Sequence, residues 1–231
     1  MEDILQTIVA HKRREVALHI AHTSLETMRA RAEAVDRPTV SMSRALKASS
    51  TGIIAEFKRR SPSKGWISRY AHPSDVAAAY ERSGAAAISI LTDGEFFGGG
   101  VSDLTAARAV TTLPLLRKEF IVHEYQIYEA RAVGADAVLL IASVLTPEEC
   151  RHLTDTAHAL GLETLLEIHS ADEIGHILPD TDMIGVNNRH LGTFHTDTEV
   201  SFTMADKLPH DRVLVSESGI SSTETIRRLR E

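Results

Sequence analysis

The chain has 231 residues, and its 25 Lys and Arg against 32 Asp and Glu give a formal net charge of −7 with histidine neutral. Its 43% hydrophobic and 25% charged residues are the composition of an ordinary globular protein and exclude an intrinsically disordered chain. The net acidity argues against a nucleic-acid partner, because a broad face for phosphates needs clustered positive charge.

The first fifty residues have helical character. Apolar residues recur at roughly helical spacing over Ile4–Ile20, and the charged run Lys12–Arg14 within it is interpreted as a solvated face. Asp36–Thr39, which contains Pro38, predicts a break before a second helix over Ser43–Ala48. We expect this arm, residues 1–50, to lie against the rest of the protein as a lid or clamp and not to be a separate domain.

From Thr51 onward, short apolar runs alternate with longer segments of helical periodicity, the pattern of βα units in a parallel sheet. The predicted strands are Gly52–Phe57, Ala86–Leu91, Pro114–Lys118, Ala137–Ile141, Glu163–Ile168, Met183–Val186 and Val213–Glu217. The predicted helices are Pro73–Ser83, Ser102–Val110, Glu124–Val133, Pro147–Leu160, Ala171–Leu178, Glu199–Leu208 and Ser221–Arg230.

Helix ends carry their own signals. Thr146 precedes Pro147 and Glu149, and Ser221 or Ser222 precedes a glutamate, so their hydroxyls are predicted to cap helix N-termini. Glycines that follow helical stretches are predicted to adopt a left-handed conformation where the chain turns into the next strand: Gly84, Gly134 and Gly161.

Seven such units fit either an open doubly wound sheet or a closed (β/α)8 barrel. Polar side chains stand at the carboxyl end of nearly every strand: Glu56, Lys58, Lys118, Glu167, Asn187, Arg189, Glu217 and Ser218. An open sheet gathers such residues only at its switch point, whereas a barrel directs all strand ends to one mouth. We therefore predict an α/β fold, a (β/α)8 TIM barrel with an N-terminal helical extension, as one domain over residues 1–231.

A closed barrel needs an eighth βα unit, and the sequence reaches Glu231 inside the helix after strand seven. An unclosed barrel exposes two parallel strand edges and one side of its core. We therefore expect either a longer working protein or completion by another chain, and the protein is expected to be a monomer or to be completed in that way. The sequence does not choose between these alternatives.

The first strand runs into Ala55–Gly65, which holds the first candidate functional residues. Glu56 and Lys58 are two apart on a strand, so they project to the same side and can pair while facing the barrel lumen. Such a pair holds its charges for proton transfer, although a structural ion pair at the rim fits the same spacing. The turn-rich segment Ser61–Gly65 can move over a ligand and close the site.

This stretch resembles the signature of the indole-3-glycerol phosphate synthase family. Further motifs resemble that family in the same order and extend the similarity over essentially the whole chain: Ser89–Asp93, Phe96–Gly99, Leu116–Ile121, Leu139–Ile141, Leu165–Ile168, Ile184–Arg189 and Ser216–Ile220. Two departures stand out. The family's Gly-Ser turn after strand eight, which shares the substrate phosphate, is absent, and Glu119 stands where the family often has aspartate.

The resemblance implies a carbon–carbon carboxy-lyase of tryptophan biosynthesis that needs no cofactor. The histidines are scattered and form no HxH or HExxH pair, so no metal is expected, and the use of a single cysteine leads us to expect a cytoplasmic protein. Its substrate would be the small phosphorylated molecule 1-(2-carboxyphenylamino)-1-deoxyribulose 5-phosphate, closed to indole-3-glycerol phosphate with loss of carbon dioxide and water. The sequence also shows no apolar run of membrane-spanning length, so no membrane partner is expected. The single cysteine, Cys150, excludes an internal disulfide and fits a reducing compartment.

The resemblance also assigns roles. Lys118 is the candidate acid for ring closure, Glu167 the candidate base, and Lys58, steadied by Glu56, an acid for dehydration; which lysine performs which transfer is left open. The other catalytic candidates are Asn187 and Glu217. The substrate-binding candidates are Ser61 and Pro62 in the mobile turn, Phe97, Phe120, Leu139, Ile141 and Leu191 as walls for the anthranilate ring, Arg189 for polar substrate groups, and Ser218 and Gly219 for the phosphate.

Two alternative functions remain open at this point. The first is a truncated, non-catalytic sugar-phosphate-binding chain derived from this barrel. The second is another sugar-phosphate barrel of the pathway, such as a phosphoribosyl isomerase, for which we would expect a Cys/Asp or Asp/Asp pair in place of Lys and Glu.

Overall fold

The computed structural model describes residues 4–190 and 195–230. Leu191, a predicted wall of the anthranilate pocket, lies outside the described residues. The N-terminal arm consists of three helices: α1 (Ile4–His22), α2 (Leu25–Glu33) and α3 (Met42–Ala48). The predicted break at Asp36–Thr39 is confirmed, and Ser24, whose hydroxyl accepts from the Thr27 amide, begins a helix that the sequence analysis did not separate.

Seven parallel strands form one sheet in chain order, as the βα pattern predicts. The strands are β1 (Ile54–Phe57), β2 (Ala87–Leu91), β3 (Leu115–Lys118), β4 (Ala137–Ile141), β5 (Glu163–Ile168), β6 (Met183–Asn187) and β7 (Val213–Glu217). A separate antiparallel hairpin pairs Arg60–Ser61 with Gly65–Trp66 directly after β1.

Helices follow the strands, as predicted, with one exception. They are α4 (Pro73–Arg82), α5 (Val101–Arg108), α6 (Glu124–Ala132), α7 (Pro147–Ala159), α8 (Glu199–Ala205) and α9 (Thr223–Arg230). The segment predicted as a helix over Ala171–Leu178 is a 3-10 helix over Ala171–His176. Its last bond joins the Ile177 amide to the carbonyl of Ile174, three residues back.

Both faces of the sheet are buried, and residue parity separates them. One set of strand side chains packs outward against the helices, among them Ile88, Val138 and Ile184. The alternate set packs into the lumen, among them Leu116, Leu139 and Leu165. The fully buried Met42 of α3 belongs to the lumen cluster, so α3 closes the end of the lumen opposite the strands' carboxyl ends.

The predicted helix-end signals are confirmed. Thr146 and Glu149 form a reciprocal capping box, and the Ser222 hydroxyl accepts from the Thr225 amide at 3.1 Å. The three predicted turn glycines all have positive φ, at 82° for Gly84, 96° for Gly134 and 72° for Gly161. Local sequence therefore specifies where these helices begin and where the chain turns back.

The interpretation of Lys12–Arg14 as a solvated face is wrong at its first residue. Arg13 and Arg14 are exposed, but the Lys12 side chain is only 2% exposed. It points from α1 toward the strand ends of the barrel, where its ammonium forms ion pairs with Asp93 and Glu119. Lys12 therefore belongs to the packing of the arm against the barrel.

Candidate active site

The carboxyl ends of β3, β5 and β7 bring one ammonium and two carboxylates together. Lys118 Nζ donates to Glu167 Oε2 at 2.8 Å and to Glu217 Oε2 at 2.5 Å. All three residues have the parity that faces the lumen, and the three side chains are 5–16% exposed. The predicted convergence of strand ends on one pocket is present here, although these strands are far apart in sequence.

Glu167 is held on both of its oxygens. Lys118 occupies Oε2, while Oε1 accepts from Asn187 Nδ2 at 2.9 Å and lies 3.2 Å from His169 Nε2. Asn187 Oδ1 accepts in turn from the Arg189 amide at 3.0 Å. The carboxylate therefore has a fixed position and orientation before any ligand arrives.

The charged groups in this cluster shift one another's pKa values. Burial by itself lowers the pKa of Lys118, but Glu167 and Glu217 outweigh it and raise that pKa, so the ammonium keeps its proton. Burial tends to raise the pKa of Glu167, and Lys118 and His169 overcome this and lower it. For Glu217, burial together with the neighbouring Glu167 raises the pKa to about 7 against the pull of Lys118. The two carboxyls therefore shift in opposite directions, and Glu217 is the easier of the two to protonate.

Gly185 makes room for Glu217. A Cβ at this position of β6 would clash with Glu217 Oε1 and would also meet Leu165 Cδ1 at 3.4 Å. Glu217 Oε1 is buried and has no hydrogen-bond partner among the described residues. The absence of a side chain at Gly185 therefore leaves the space that the Glu217 carboxylate occupies when it contacts Lys118.

Glu56 near the end of β1 and Lys58 directly after the strand form an ion pair, as their spacing predicts. Each side chain is about one third exposed, at 33% and 35%. Glu56 has the same parity on β1 as Ile54, which packs against the lumen cluster, so it faces the same pocket. Its negative charge contributes to raising the pKa of both Lys118 and Glu217. Tyr80 of α4 donates to the Glu56 carbonyl at 3.0 Å and fixes the strand end.

The segment after β1 lies at the rim of the pocket. Ser61 is buried, and its hydroxyl accepts from the Lys64 amide at 3.2 Å within the hairpin turn, while Pro62 is exposed. Arg189 donates to Ser63 Oγ at 3.3 Å and so links the β6 strand end to this turn. The hairpin gives the predicted mobile turn a defined conformation.

Two aromatic rings stand on the neighbouring loops. The centroids of Phe97 and Phe120 are 6.0 Å apart with an interplanar angle of 37°. Ile141 is level with Glu167 across the β4–β5 pair, and Leu139 pairs with Leu165, two residues deeper. Both aliphatic side chains belong to the lumen core, so Leu139 supports the floor of the pocket from one layer below.

The turn after β7 has a left-handed backbone. Ser218 has φ 68° and Gly219 has φ 76°, and Ser218 is the one non-glycine residue of the described chain with positive φ. Asn188, which is 2% exposed, donates to the Ser218 carbonyl at 3.1 Å and holds this conformation. A positive φ at a non-glycine residue is typical of functional sites, because such strain persists only where the surrounding structure holds it.

Sequence reasoning missed several residues of this site: Lys12, Asp93, His169, Gly185 and Asn188. A usable signal exists for His169, which follows Glu167 by two residues at a strand end and therefore shares its face. Asn188 and Lys12 act through contacts distant in sequence, which spacing does not reveal. No group of three or more His, Cys, Asp or Glu side chains within residues 4–190 and 195–230 is arranged to hold a metal ion.

Comparisons with known proteins agree with the motif order. The model of the family described as indole-3-glycerol phosphate synthase matches residues 5–231. The chain belongs to this family. A relative from Bacteroides thetaiotaomicron named indole-3-glycerol phosphate synthase is 55% identical over 230 residues, which are 100% of this chain and 88% of the relative. A Burkholderia cenocepacia protein of the same name is 46% identical over 233 residues, covering 100% of this chain and 89% of the relative.

Solved structures with a similar fold include the tryptophan synthase α-subunit of Pyrococcus furiosus. A mutant of that subunit superposes with a TM-score of 0.51 at 15% identity, over 68% of this chain and 75% of that one. A chain from a study of the α2β2 complex gives a TM-score of 0.56 at 12% identity, over 77% and 82%. These likenesses support the (β/α)8 fold class alone.

Membership in the indole-3-glycerol phosphate synthase family confirms the resemblance and the function that it implied, an enzyme of tryptophan biosynthesis. The alternative of a truncated, non-catalytic sugar-phosphate-binding chain is not favoured by these relatives. No helix among the described residues is long and apolar enough to cross a membrane.

Proposed function

We propose that this chain closes the indole ring of 1-(2-carboxyphenylamino)-1-deoxyribulose 5-phosphate as a carbon–carbon carboxy-lyase, using its own side chains. The observation that carries the proposal is Lys118 held between Glu167 and Glu217 at the carboxyl ends of three strands. A buried ammonium between two carboxylates can supply a proton and stabilise developing negative charge in the same place.

Ring closure needs an acid at the ketone oxygen. The ring carbon that bears the carboxylate attacks the ketone carbon, and the C=O electron pair moves onto oxygen. Lys118 is placed to stabilise this alkoxide and to protonate it. Glu217 lies 2.5 Å from Lys118 and its pKa is raised by burial, so in its protonated form it can return a proton to the lysine afterwards.

Decarboxylation and dehydration complete the ring. Loss of carbon dioxide leaves its bonding electrons in the ring and restores part of the conjugation, so this step depends on orientation more than on a catalyst group. Loss of water then needs an acid for the departing hydroxyl and a base for a proton of the new ring. Lys58, paired with Glu56, is assigned as the acid, and the ionised Glu167 as the base.

Substrate binding uses the remaining strand ends. Phe97, Phe120 and Ile141 are assigned to the anthranilate ring, and Arg189 to polar groups of the substrate near the hairpin turn. The backbone amides of Ser218 and Gly219 are assigned to the phosphate, because they lie in the turn after β7 and successive backbone N–H groups in a turn can form a concavity that binds anions. The reduced, buried Cys150 fits the cytoplasmic location that we infer for such an enzyme.

The proposal is tested by substituting Lys118→Met and following indole product fluorescence from the substrate. We expect kcat to fall by about 10²–10⁴-fold, because the side chain that donates the proton is lost. Lys207→Met is the matched control, since Lys207 is an exposed lysine that follows α8. An unmodified chain without product, or a Lys118→Met variant with unchanged kcat, would contradict the proposed function.

A further inference from the structure

The most unusual charge outside the catalytic cluster is the buried lysine of α1. Lys12 Nζ lies 2.7 Å from Glu15 Oε2, 2.9 Å from Asp93 Oδ2 and 3.0 Å from Glu119 Oε1. Asp93 is 0% exposed and Glu119 is 3% exposed. A lysine is almost never this deeply buried unless its charge is paired.

Lys12 is the cation that these two carboxylates need. Burial works against the charged form of Lys12, and Glu119 and Asp93 outweigh it, so the pKa of Lys12 is raised. The nearest alternative cation, Arg117, is committed to Glu129 Oε2 at 2.6 Å and lies 3.9 Å from Glu119. Removal of Lys12 would therefore leave a buried Asp93 without a paired cation among the described residues.

Asp93 and Glu119 each hold the backbone of one aromatic wall residue. Asp93 Oδ1 accepts from the Phe97 amide at 3.2 Å and from the Phe96 amide at 2.7 Å. Glu119 Oε1 accepts from the Phe120 amide at 2.9 Å. The loop after β2 is further restricted because a Cβ at Gly99 would clash with the Leu91 carbonyl.

One ammonium thus ties together the two carboxylates that anchor Phe97 and Phe120, the rings that lie 6.0 Å apart at the pocket. We propose that Lys12 is a positioning residue that fixes the spacing of these two aromatic walls, so that the N-terminal helix sets the fit of the anthranilate ring. This inference rests on the proposed function for the identity of the ring. The effect is exerted through Asp93 and Glu119, whose carboxylates accept from the Phe97 and Phe120 amides.

The proposal predicts a split between KM and kcat. In Lys12→Met we expect KM for the anthranilate-bearing substrate to rise about tenfold while kcat stays within about threefold, because the walls shift and the Lys118 cluster does not. Arg14→Met is the matched control, because Arg14 is an exposed basic residue two positions along the same helix. Lys12→Arg keeps the charge, so its KM is expected to rise less than that of Lys12→Met.

Hydrogen exchange gives a readout that needs no substrate. In Lys12→Met, the Phe97 and Phe120 amides are expected to exchange about tenfold faster or more, while the amides of β5 keep their rates. If Lys12→Met is recovered only in an unfolded state, Lys12→Arg takes its place as the test of the proposal. In Lys12→Arg we expect KM to rise about threefold and the Phe97 and Phe120 amides to exchange faster than in the unmodified protein.

The two proposals fail in different ways. A folded unmodified chain that makes no product contradicts the proposed function, and the exchange of the Phe97 and Phe120 amides still tests Lys12. An active unmodified chain whose Lys12 variants keep KM and both exchange rates within about twofold overturns the positioning role. A fall in kcat equal to the change in kcat/KM would also overturn it, since the defect would then lie in the chemical step.

Discussion

At the scale of single residues, the base candidate Glu167 is oriented by a neighbour that the proposed chemistry does not use. His169 lies between two carboxylates, with Nε2 3.2 Å from Glu167 and Nδ1 3.6 Å from Glu173. Its backbone amide also donates to Glu173 Oε2 at 2.6 Å. Burial alone would lower the pKa of His169, but the two glutamates raise it from 6.5 to about 9.

This shift predicts a pH-dependent contribution to stability. Because the folded pKa of His169 lies above its ordinary value, the stabilisation is fully present below pH 6.5 and is lost as pH rises through about 9. Replacing His169 with Gln should therefore cost about 1–3 kcal/mol of unfolding free energy near pH 6 and much less above pH 9. Urea unfolding of both proteins across this range measures the difference.

The control for this prediction is His152→Gln. The His152 side chain is 62% exposed, so its loss should leave the pH dependence unchanged. A constant difference between the unmodified protein and His169→Gln over the whole range would show that the imidazolium is not stabilised by the two glutamates. The other charged groups that face these glutamates are Lys118 at Glu167 and His176 near Glu173. Both are present in the unmodified protein and in His169→Gln, so they do not account for a difference between the two.

A site residue was predictable where its contacts are made to residues nearby in sequence, and not where they are made to distant ones. Glu56 and Lys58 were predicted to pair from a spacing of two on a strand, and their pairing is confirmed. Lys12 was misread because periodicity on a helix shows only that charged residues cluster, and not which distant carboxylates they meet. The sequence did not indicate a role for Gly185, because the space that it leaves matters only once β7 has placed Glu217 beside β6.

At the scale of elements, Asp136 joins the arm to the barrel. This fully buried carboxylate precedes β4 and accepts from Arg37 of the arm at 2.8 Å, from Arg108 of α5 at 2.8 Å and from the Leu115 amide of β3 at 2.9 Å. The amide of Val40 in the arm is a fourth donor at 2.9 Å. One side chain therefore holds three elements in register at the floor of the barrel.

Asp136→Asn is expected to destabilise the protein strongly. The amide keeps one acceptor but leaves two guanidinium groups without their carboxylate, so we expect a loss of about 3 kcal/mol in unfolding free energy. Denaturant unfolding measures this loss. Asp155→Asn on the exposed face of α7 is the matched control, and equal stability of the two variants would contradict the assigned role of Asp136.

Element identity was more predictable than element boundaries. The seven strands were predicted because apolar runs buried on both faces are distinct from helical periodicity. The segment Ala171–His176 forms a 3-10 helix because it is short and lies between β5 and Pro179, with Gly175 inside it, so that an α-helix has little length in which to propagate. Short connecting segments of this kind depend on the elements that they join.

At the scale of the whole molecule, the sheet is curled. Helix α3 of the arm lies across the amino ends of the strands, and the candidate site lies at their carboxyl ends, where α1 contributes Lys12. Within the described residues, β1 pairs with β2 and β7 pairs with β6, and neither has a strand on its other side. Arg230 of α9 donates to the carbonyls of Ser49 and Ser50, so the last helix meets the start of the first βα unit. The two ends of the sheet therefore face each other around the lumen.

This arrangement predicts unequal protection of the strands from hydrogen exchange. All five residues of β7 are only partly buried, whereas all five residues of β4 are buried between two neighbouring strands. Under native conditions at neutral pH, amides of β7 that bond to β6 should exchange about 10²-fold faster than amides of β4 that bond to its neighbours. The reason is that β7 can separate from the sheet by breaking one ladder of hydrogen bonds, whereas β4 must break two.

Exchange followed by mass spectrometry of peptides covering 137–141 and 213–217 measures the ratio of the two rates. Equal protection that falls on dilution would show that a second copy covers the β7 edge, and equal protection at every concentration would contradict the one-ladder account.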